Sequence, residues 1–226
     1  METERKVDWL SVLAVVAALG ASLVLWRRLP DSMPIHWNAA GQPDGYGSRL
    51  VGAFLMPVVM VGIYLMFEVL PRIDPRRRNY ERFADTYRFL RTLLILFMML
   101  VHGLTLYSVV YGGNMLSSNL MFAAVGLLFV LLGNYMPRFR PTWFVGIRTP
   151  WTLSSDRIWR KTHRLGGRLF FLVGLALIAA IWLPAQWIEF VLLGAVLVAA
   201  IVPIAYSYWL FRQGEGGEMP GQKEIP

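Results

Sequence analysis

The sequence predicts an all-α fold: an integral membrane bundle of six transmembrane helices, with both termini cytoplasmic and one small ordered extracytoplasmic loop. Three observations predict it. Of 226 residues, 56% are hydrophobic and 16% charged, against roughly 25% charged in ordinary globular chains. The charges gather into a few segments separated by apolar runs, and crossing a hydrocarbon layer takes about 20 apolar residues. The basic residues, finally, are distributed very unevenly between alternate connecting segments, as the positive-inside rule requires of a multipass chain.

The first span runs from Trp9 to Trp26 without a charge. Arg5-Lys6 ahead of it and Ala18-Leu19-Gly20 within it have the form of a signal peptide and its cleavage site. The apolar run nevertheless continues to Trp26 and ends on Arg27-Arg28, so the segment is expected to stay as a span anchored by an interfacial aromatic. The second span covers Val51 to Phe67 and continues past Glu68 to Leu70. From Thr92 to Pro137 there is no charge apart from a possible one on His102. A single helix over that run would be about 69 Å long, so Gly112-Gly113-Asn114 and Ser117-Ser118-Asn119 are read as the turn between the third and fourth spans. Leu169 to Ile188 and Phe190 to Phe211 form a second such pair, with Pro184-Ala185-Gln186-Trp187 at their turn. The chain then divides into a first helical hairpin, 1–71, carrying the extracytoplasmic loop 29–50; a four-helix region, 72–211, with the cytoplasmic loop 137–168; and a tail, 212–226, whose Gly, Pro and Glu content marks it as disordered.

Nineteen of the 22 Lys and Arg residues fall in the N-terminal segment, the second and fourth connections and the tail; only Arg27, Arg28 and Arg49 fall on the other side. That asymmetry places both termini inside. It also accounts for the formal charge of +8, so the basic pI is no argument for nucleic acid as a partner. With no Cys in the chain, disulfide scaffolds, thiolate metal sites and cysteine nucleophiles are excluded.

Candidate functional residues lie in three places. In the loop 29–50, X-Pro steps favour extended backbone and give strand character at Ile35, Trp37 and Ala39, with His36 and Asn38 on the opposite face. Gly41, Gly45 and Gly47 permit positive φ, and Asp44-Gly45 is a tight-turn dipeptide, so a small ordered cap is expected. His36, Asn38 and Asp44 form a polar set that either contacts an extracellular partner or bonds its own loop. In the loop 137–168, Phe139, Trp143, Phe144 and Trp151 interleave with Arg138, Arg140 and Arg148, a composition suited to the headgroup layer. There Arg148-Thr149-Pro150-Trp151 either clasps a carboxylate or phosphate or anchors the loop against anionic membrane lipid. Ser154 or Ser155 before Asp156 starts a helix whose Arg157, Arg160, Lys161, Arg164 and Arg168 make a basic face; a short helix along the inner surface, bending into the fifth span, is expected. The third place is His102, the one ionisable residue deep in a span. It is either hydrogen-bonded to a neighbouring helix or the centre of a small-solute or proton-linked carrier. No catalytic motif, metal-ligand set or cofactor fingerprint appears, so the reading is non-enzymatic, with no cofactor and no metal.

Two motifs taken together carry a family resemblance: Leu29-Pro30, Pro34-Ile35-His36-Trp37-Asn38, Gly41 and Asp44-Gly45 in the first loop, and Gly146-Ile147-Arg148-Thr149-Pro150-Trp151-Thr152, Trp159 and Thr162-His163 in the second. The chain resembles the SdpI-like immunity proteins over most of residues 8–211. The first motif is similar to the uncharacterised domain that opens many of them and the second to their signature segment, with Thr142 standing where Asn is expected. The resemblance implies a multipass protein of the bacterial cytoplasmic membrane that protects its producer against a secreted, membrane-damaging peptide toxin. It further implies a partner inside, a cytoplasmic repressor held at the membrane as part of a signal.

Overall fold

A computed structural model of the chain describes residues 8–38, 42–112 and 118–215. The helices are α1 (Trp9–Leu25), α2 (Arg49–Ile73), α3 (Arg78–Glu81), α4 (Ala84–Tyr111), α5 (Ser118–Tyr135), α6 (Pro150–Ser154), α7 (Asp156–Ala179) and α8 (Ala185–Leu210), and two strands, β1 (Ser32–Trp37) and β2 (Pro43–Ser48), lie between α1 and α2. Among the described residues six helices, all but the short α3 and α6, are long and apolar enough to cross a membrane. They agree with the six spans expected. Their outward surfaces stay hydrophobic, with Leu13, Val24, Leu65 and Leu172 all more than half exposed. Such surfaces suit a solvent of acyl chains, in which only closed backbone hydrogen bonding is tolerated.

Contacts divide the chain into two units, one from residues 1–69 and 87–124 and the other from 70–86 and 125–226. In the first unit, Ser11, Ala14, Ala18 and Ser22 are the buried residues of α1. They recur every three or four positions and so share one face. Ala14 and Ala18 pack with Met60 of α2 and Ile95 of α4. The strands form an antiparallel hairpin in which Ser32 pairs with Ser48, Met33 with Gly47 and Pro34 with Tyr46, with irregular register between Pro34 and Trp37. Met33, wholly buried, fixes this hairpin to the helices by packing with Leu29, Ala53 and Leu106.

The hairpin revises one expectation. Gly45 and Gly47 are not at positive φ; among described residues only Gly112, Gly146 and Gly214 are. Both belong to β2, and the missing side chain serves close approach instead: a Cβ on Gly45 would lie 2.9 Å from the His36 Cβ, and one on Gly47 3.2 Å from Ile35. Asp44-Gly45 is therefore strand, not a turn. Ala39 and Gly41 lie outside the described residues, as do Gly113 and Asn114 of the expected turn before α5.

In the second unit α7 is one continuous helix of 24 residues, so the expected separate surface helix and bend are absent. Nothing in Asp156–Ala179 breaks the helical ladder. Gly166 and Gly167 sit where other elements come closest: a Cβ on Gly167 would lie 2.6 Å from the Gly133 carbonyl oxygen, and one on Gly174 2.5 Å from that of Gly126. These glycines let α5 and α7 meet backbone to backbone, the use of small residues that membrane helices favour. Beyond α8, Phe211–Glu215 makes one further turn that leaves helical geometry at Gly214, whose φ is +76°. There Glu215 pairs with Lys161 at 2.5 Å and its carbonyl accepts from Ser155; residues 216–226 lie outside the described residues.

A methyl group at Gly167 would force α5 and α7 apart, whereas a Cβ on Gly62 of α2 would have nothing within 4 Å of it. Gly167→Ala is expected to cost about 1–3 kcal/mol. Gly62→Ala is expected to be neutral or to stabilise by up to about 1 kcal/mol. Thermal unfolding of the two variants in detergent, followed by circular dichroism, checks the contrast.

Candidate functional site

The loop 29–50 places two of its three candidate residues in contact. The hairpin register sets β1 beside β2, and the His36 Nδ1 lies 2.5 Å from the Asp44 Oδ1, with both side chains substantially exposed. Asn38 instead closes the tip: its Oδ1 accepts from Gln42 N–H at 3.0 Å, and its own N–H donates to the Gln42 carbonyl. At the base, Arg49 donates to Asp31 at 2.6 Å and lies 5.6 Å from the Trp26 ring centre. The result is an ordered polar surface presenting an imidazole whose orientation a carboxylate fixes.

In the second unit the segment 139–163 folds around Trp159 and His163, both fully buried on α7. Trp159 Nε1 donates to the Phe139 carbonyl at 2.9 Å, and the two rings stack with centroids 4.1 Å apart. His163 Nε2 accepts from Ile147 N–H at 2.9 Å while Nδ1–H donates to the Trp159 carbonyl at 2.8 Å. That is the neutral Nδ1–H tautomer with both nitrogens used. Gly146 makes this possible: its φ is +117°, and a Cβ there would lie 2.5 Å from His163 Nε2. Thr142 Oγ1 donates to the Val145 carbonyl and accepts its N–H, closing the turn before Gly146 much as an Asn side chain would.

Arg148, Thr149 and Trp151 leave this core in three directions. Thr149 is buried as the N-cap of α6, exchanging hydrogen bonds with Thr152, and its hydroxyl lies 3.0 Å from that of Ser207 on α8. Trp151 packs on Tyr208, ring centroids 4.9 Å apart. Arg148 is exposed and donates to the Trp143 carbonyl at 2.8 Å. Pro150 at the first helical position and a reciprocal Thr cap explain why a helix of five residues forms here.

A third centre in this unit, one that no sequence pattern signals, is Asp74. Only 2% exposed, its carboxylate accepts from Arg76 N–H at 2.7 Å, Tyr80 Oη–H at 2.9 Å and Trp143 N–H at 2.9 Å. Burial, with the Asp74 carboxylate beside it, pushes the Tyr80 phenol up. Phe83 joins Tyr80 to Phe139 through ring contacts of 5.6 and 6.2 Å. Asp74 thus ties the turn after α2 to the segment that carries the second motif.

The first unit holds its own polar centre at the end of the helices away from the hairpin. By its place in the sequence Arg91 reads as a loop charge, yet it is only 4% exposed. Its guanidinium bonds Glu68 of α2, reaches Asp8 at 3.3 Å and lies 4.6 Å from the Tyr64 ring centre. Asp8 also caps α1 through Ser11 and accepts from Thr92 of α4 at 2.6 Å. Burial would raise the Asp8 carboxyl, but the Ser11 and Thr92 hydrogen bonds and the Arg91 charge outweigh it and hold its pKa below 3.8. The signal available in the sequence was the coincidence of Asp8, Glu68 and Arg91 at ends of spans that must lie at one level. His102, expected to bond a neighbouring helix or to serve a carrier, lies 2.9 Å from Ser22 Oγ, which donates to the Ala53 carbonyl at 2.6 Å.

Six apolar helices, a polar hairpin and a motif-bearing loop folded around a buried indole and imidazole define a multipass membrane protein. Among the described residues no group of three His, Cys, Asp or Glu side chains could hold a metal. The model of the SdpI/YfhL protein family matches residues 138–207, and that of a domain of unknown function, DUF1648, matches 13–61. The immunity protein SdpI of Bacillus subtilis (strain 168) is 25% identical over 211 residues, covering 93% of this chain and 99% of that protein. The uncharacterized membrane protein YbgB of the same bacterium is 42% identical over 59 residues, 26% of this chain and 62% of the relative. No solved structure matches. The chain is a multipass protein of the bacterial cell membrane that is similar to that immunity protein over nearly its whole length.

Asp8 and Gly146 each carry a measurable consequence. Because the folded-state pKa of Asp8 is depressed, its contribution to stability is complete above the ordinary value of 3.8 and is lost as pH falls through the lower folded value. Thermal melts in detergent from pH 6 to pH 2 should show wild type above Asp8→Asn at pH 6, with the gap closing only below about pH 4. Gly146→Ala meets both a positive φ and a collision with His163. A loss of about 2–4 kcal/mol is expected, and near-ultraviolet circular dichroism should report disturbed indole packing.

Proposed function

We propose that this protein is a non-enzymatic immunity protein that protects a bacterial cell against a secreted, membrane-active peptide toxin. Both termini and the 137–168 loop face the cytoplasm, and the 29–50 hairpin faces outward. The observation that carries this reading is the extent of the likeness to the immunity protein, which takes in nearly the whole of both chains. The two motif regions fall within or beside the two family matches, and each is an ordered structural feature. In this reading the exposed His36–Asp44 pair and its hairpin receive the peptide. Arg148 and the Trp151 face of α6 are the parts of the second motif that a ligand or cytoplasmic partner can reach.

The test is to express the protein in a toxin-sensitive bacterium and record membrane potential while the peptide toxin is added. Preserved potential in cells carrying the protein is the expected result, with protection lost in His36→Ala/Asp44→Ala at unchanged membrane abundance. Collapse identical to the empty-vector control, with the protein present in the membrane, overturns the reading. The chain has no Cys, so orientation can be read in the same cells from single replacements. Tyr46→Cys, on the hairpin, should react with an impermeant maleimide in intact cells, and Arg160→Cys only after permeabilisation.

A further inference from the structure

The sequence Pro75-Arg76-Arg77-Arg78-Asn79, which the charge pattern marks only as a positive connection, lines a cleft of about 490 Å³ in the second unit, with Asp156 of α7 on its wall. We propose that this cleft binds a polyol phosphate, the chemistry shared by a phosphatidylglycerol headgroup and a soluble glycerol phosphate.

The three arginines stand on one hydrogen-bonded turn. A run of like charges on a mobile loop would repel itself apart, and a ligand would have to gather it at a cost in entropy. Here the turn is fixed before any ligand arrives. Asp74 accepts from Arg76 N–H through its carboxylate and from Arg77 N–H through its carbonyl. Arg76 Nη2 donates to the Leu153 carbonyl at 2.6 Å, and Asn79 Nδ2 to that of Pro141 at 2.7 Å. Asn79 and Tyr80 N–H close the turn onto the Arg76 and Arg77 carbonyls. With the backbone held, Arg77 and Arg78 are exposed, and their planar forks match the oxygens of a phosphate. Arg76 keeps further N–H groups beyond the one given to Leu153.

Asp156 narrows the ligand class. A carboxylate on the wall opposes a bare phosphate, but it accepts hydrogen bonds from hydroxyl groups. The combination of three cations and one carboxylate favours a phosphate that carries neighbouring hydroxyls over one that does not. This assignment concerns the second unit alone and does not depend on whether the protein confers immunity.

The experiment uses the purified full chain. Native mass spectrometry in detergent compares retention of phosphatidylglycerol, phosphatidic acid and phosphatidylcholine, and calorimetry measures binding of glycerol 3-phosphate. Wild type should retain phosphatidylglycerol above both other lipids. Arg77→Gln/Arg78→Gln should lower that retention by about tenfold or more. Arg160→Gln/Arg164→Gln removes the same charge from the exposed face of α7 and should change retention less than about twofold. Asp156→Asn should erase the preference for phosphatidylglycerol over phosphatidic acid. Glycerol 3-phosphate binding that disappears in Arg77→Gln/Arg78→Gln assigns the site to a soluble ligand; retention of lipid without it assigns the site to the headgroup. The proposal is overturned if neither probe distinguishes wild type from Arg77→Gln/Arg78→Gln, or if glycerol 3-phosphate does not bind and either the two arginine pairs lower lipid retention equally or wild type holds phosphatidic acid as well as phosphatidylglycerol.

Discussion

A charged side chain at the margin of a hydrocarbon layer has to find its partners within the protein, because the layer supplies none. Arg91 of α4 meets that requirement with two carboxylates and an aromatic face, drawn from the cap of α1 and from α2. The consequence reaches well beyond the ion pair. An arginine satisfied jointly by Asp8 and Glu68 sets the depth at which α1, α2 and α4 stand against one another, since sliding any one helix by a turn, about 5.4 Å, would leave a buried charge unpaired. The small residues of α1 and the His102, Ser22 and Ala53 contact then follow at the levels that this alignment dictates. In the second unit Asp74 has the same office with neutral donors. Its carboxylate gathers a backbone amide from its own turn, a phenol and an amide from a distant loop, and so converts a basic connection into a structured one.

The outline of this architecture was legible in the sequence because hydrocarbon thickness is a stringent filter. A run such as Thr92–Pro137 can only be a pair of spans, and its central glycines and asparagine say where they part. Helix termini were legible for a similar reason: Ser155 before Asp156 is a capping sequence, and α7 does begin there. What was not legible was anything decided by a partner remote in the chain. Asp74 reads as an ordinary loop acid until Trp143 and Tyr80 are brought to it. Arg91 reads as a topological charge until Asp8 arrives, 83 positions away. The glycines of β2 are ambiguous because the sequence shows that a side chain is missing and not whether conformational freedom or close approach is the cause; the close cross-strand approach to His36 and Ile35 settles it.

The candidate site was partly legible in the same sense. Pattern alone singled out Arg148, Thr149 and Trp151 as a group, but a short capped helix disperses them: one side chain turns inward to Ser207, one lies against Tyr208 and one stays at the surface. The true centre of that motif is the pair Trp159 and His163, which the sequence displays only as helical spacing on α7. The positive φ of Gly146 is the feature that brings the loop onto them.

Many of the hydrogen bonds that hold the second unit run from a side chain to a main-chain atom: Asp74 to the amide of Trp143, Arg76 to the carbonyl of Leu153, Asn79 to that of Pro141. Such a bond constrains only one of its two positions, because every residue type has a carbonyl and nearly every one an amide. Over evolutionary time the bonding side chains are tied while the positions that offer only main-chain atoms are free to drift. A fold knitted in this manner can lose most of its letters and keep its shape, with the surviving letters marking the knots.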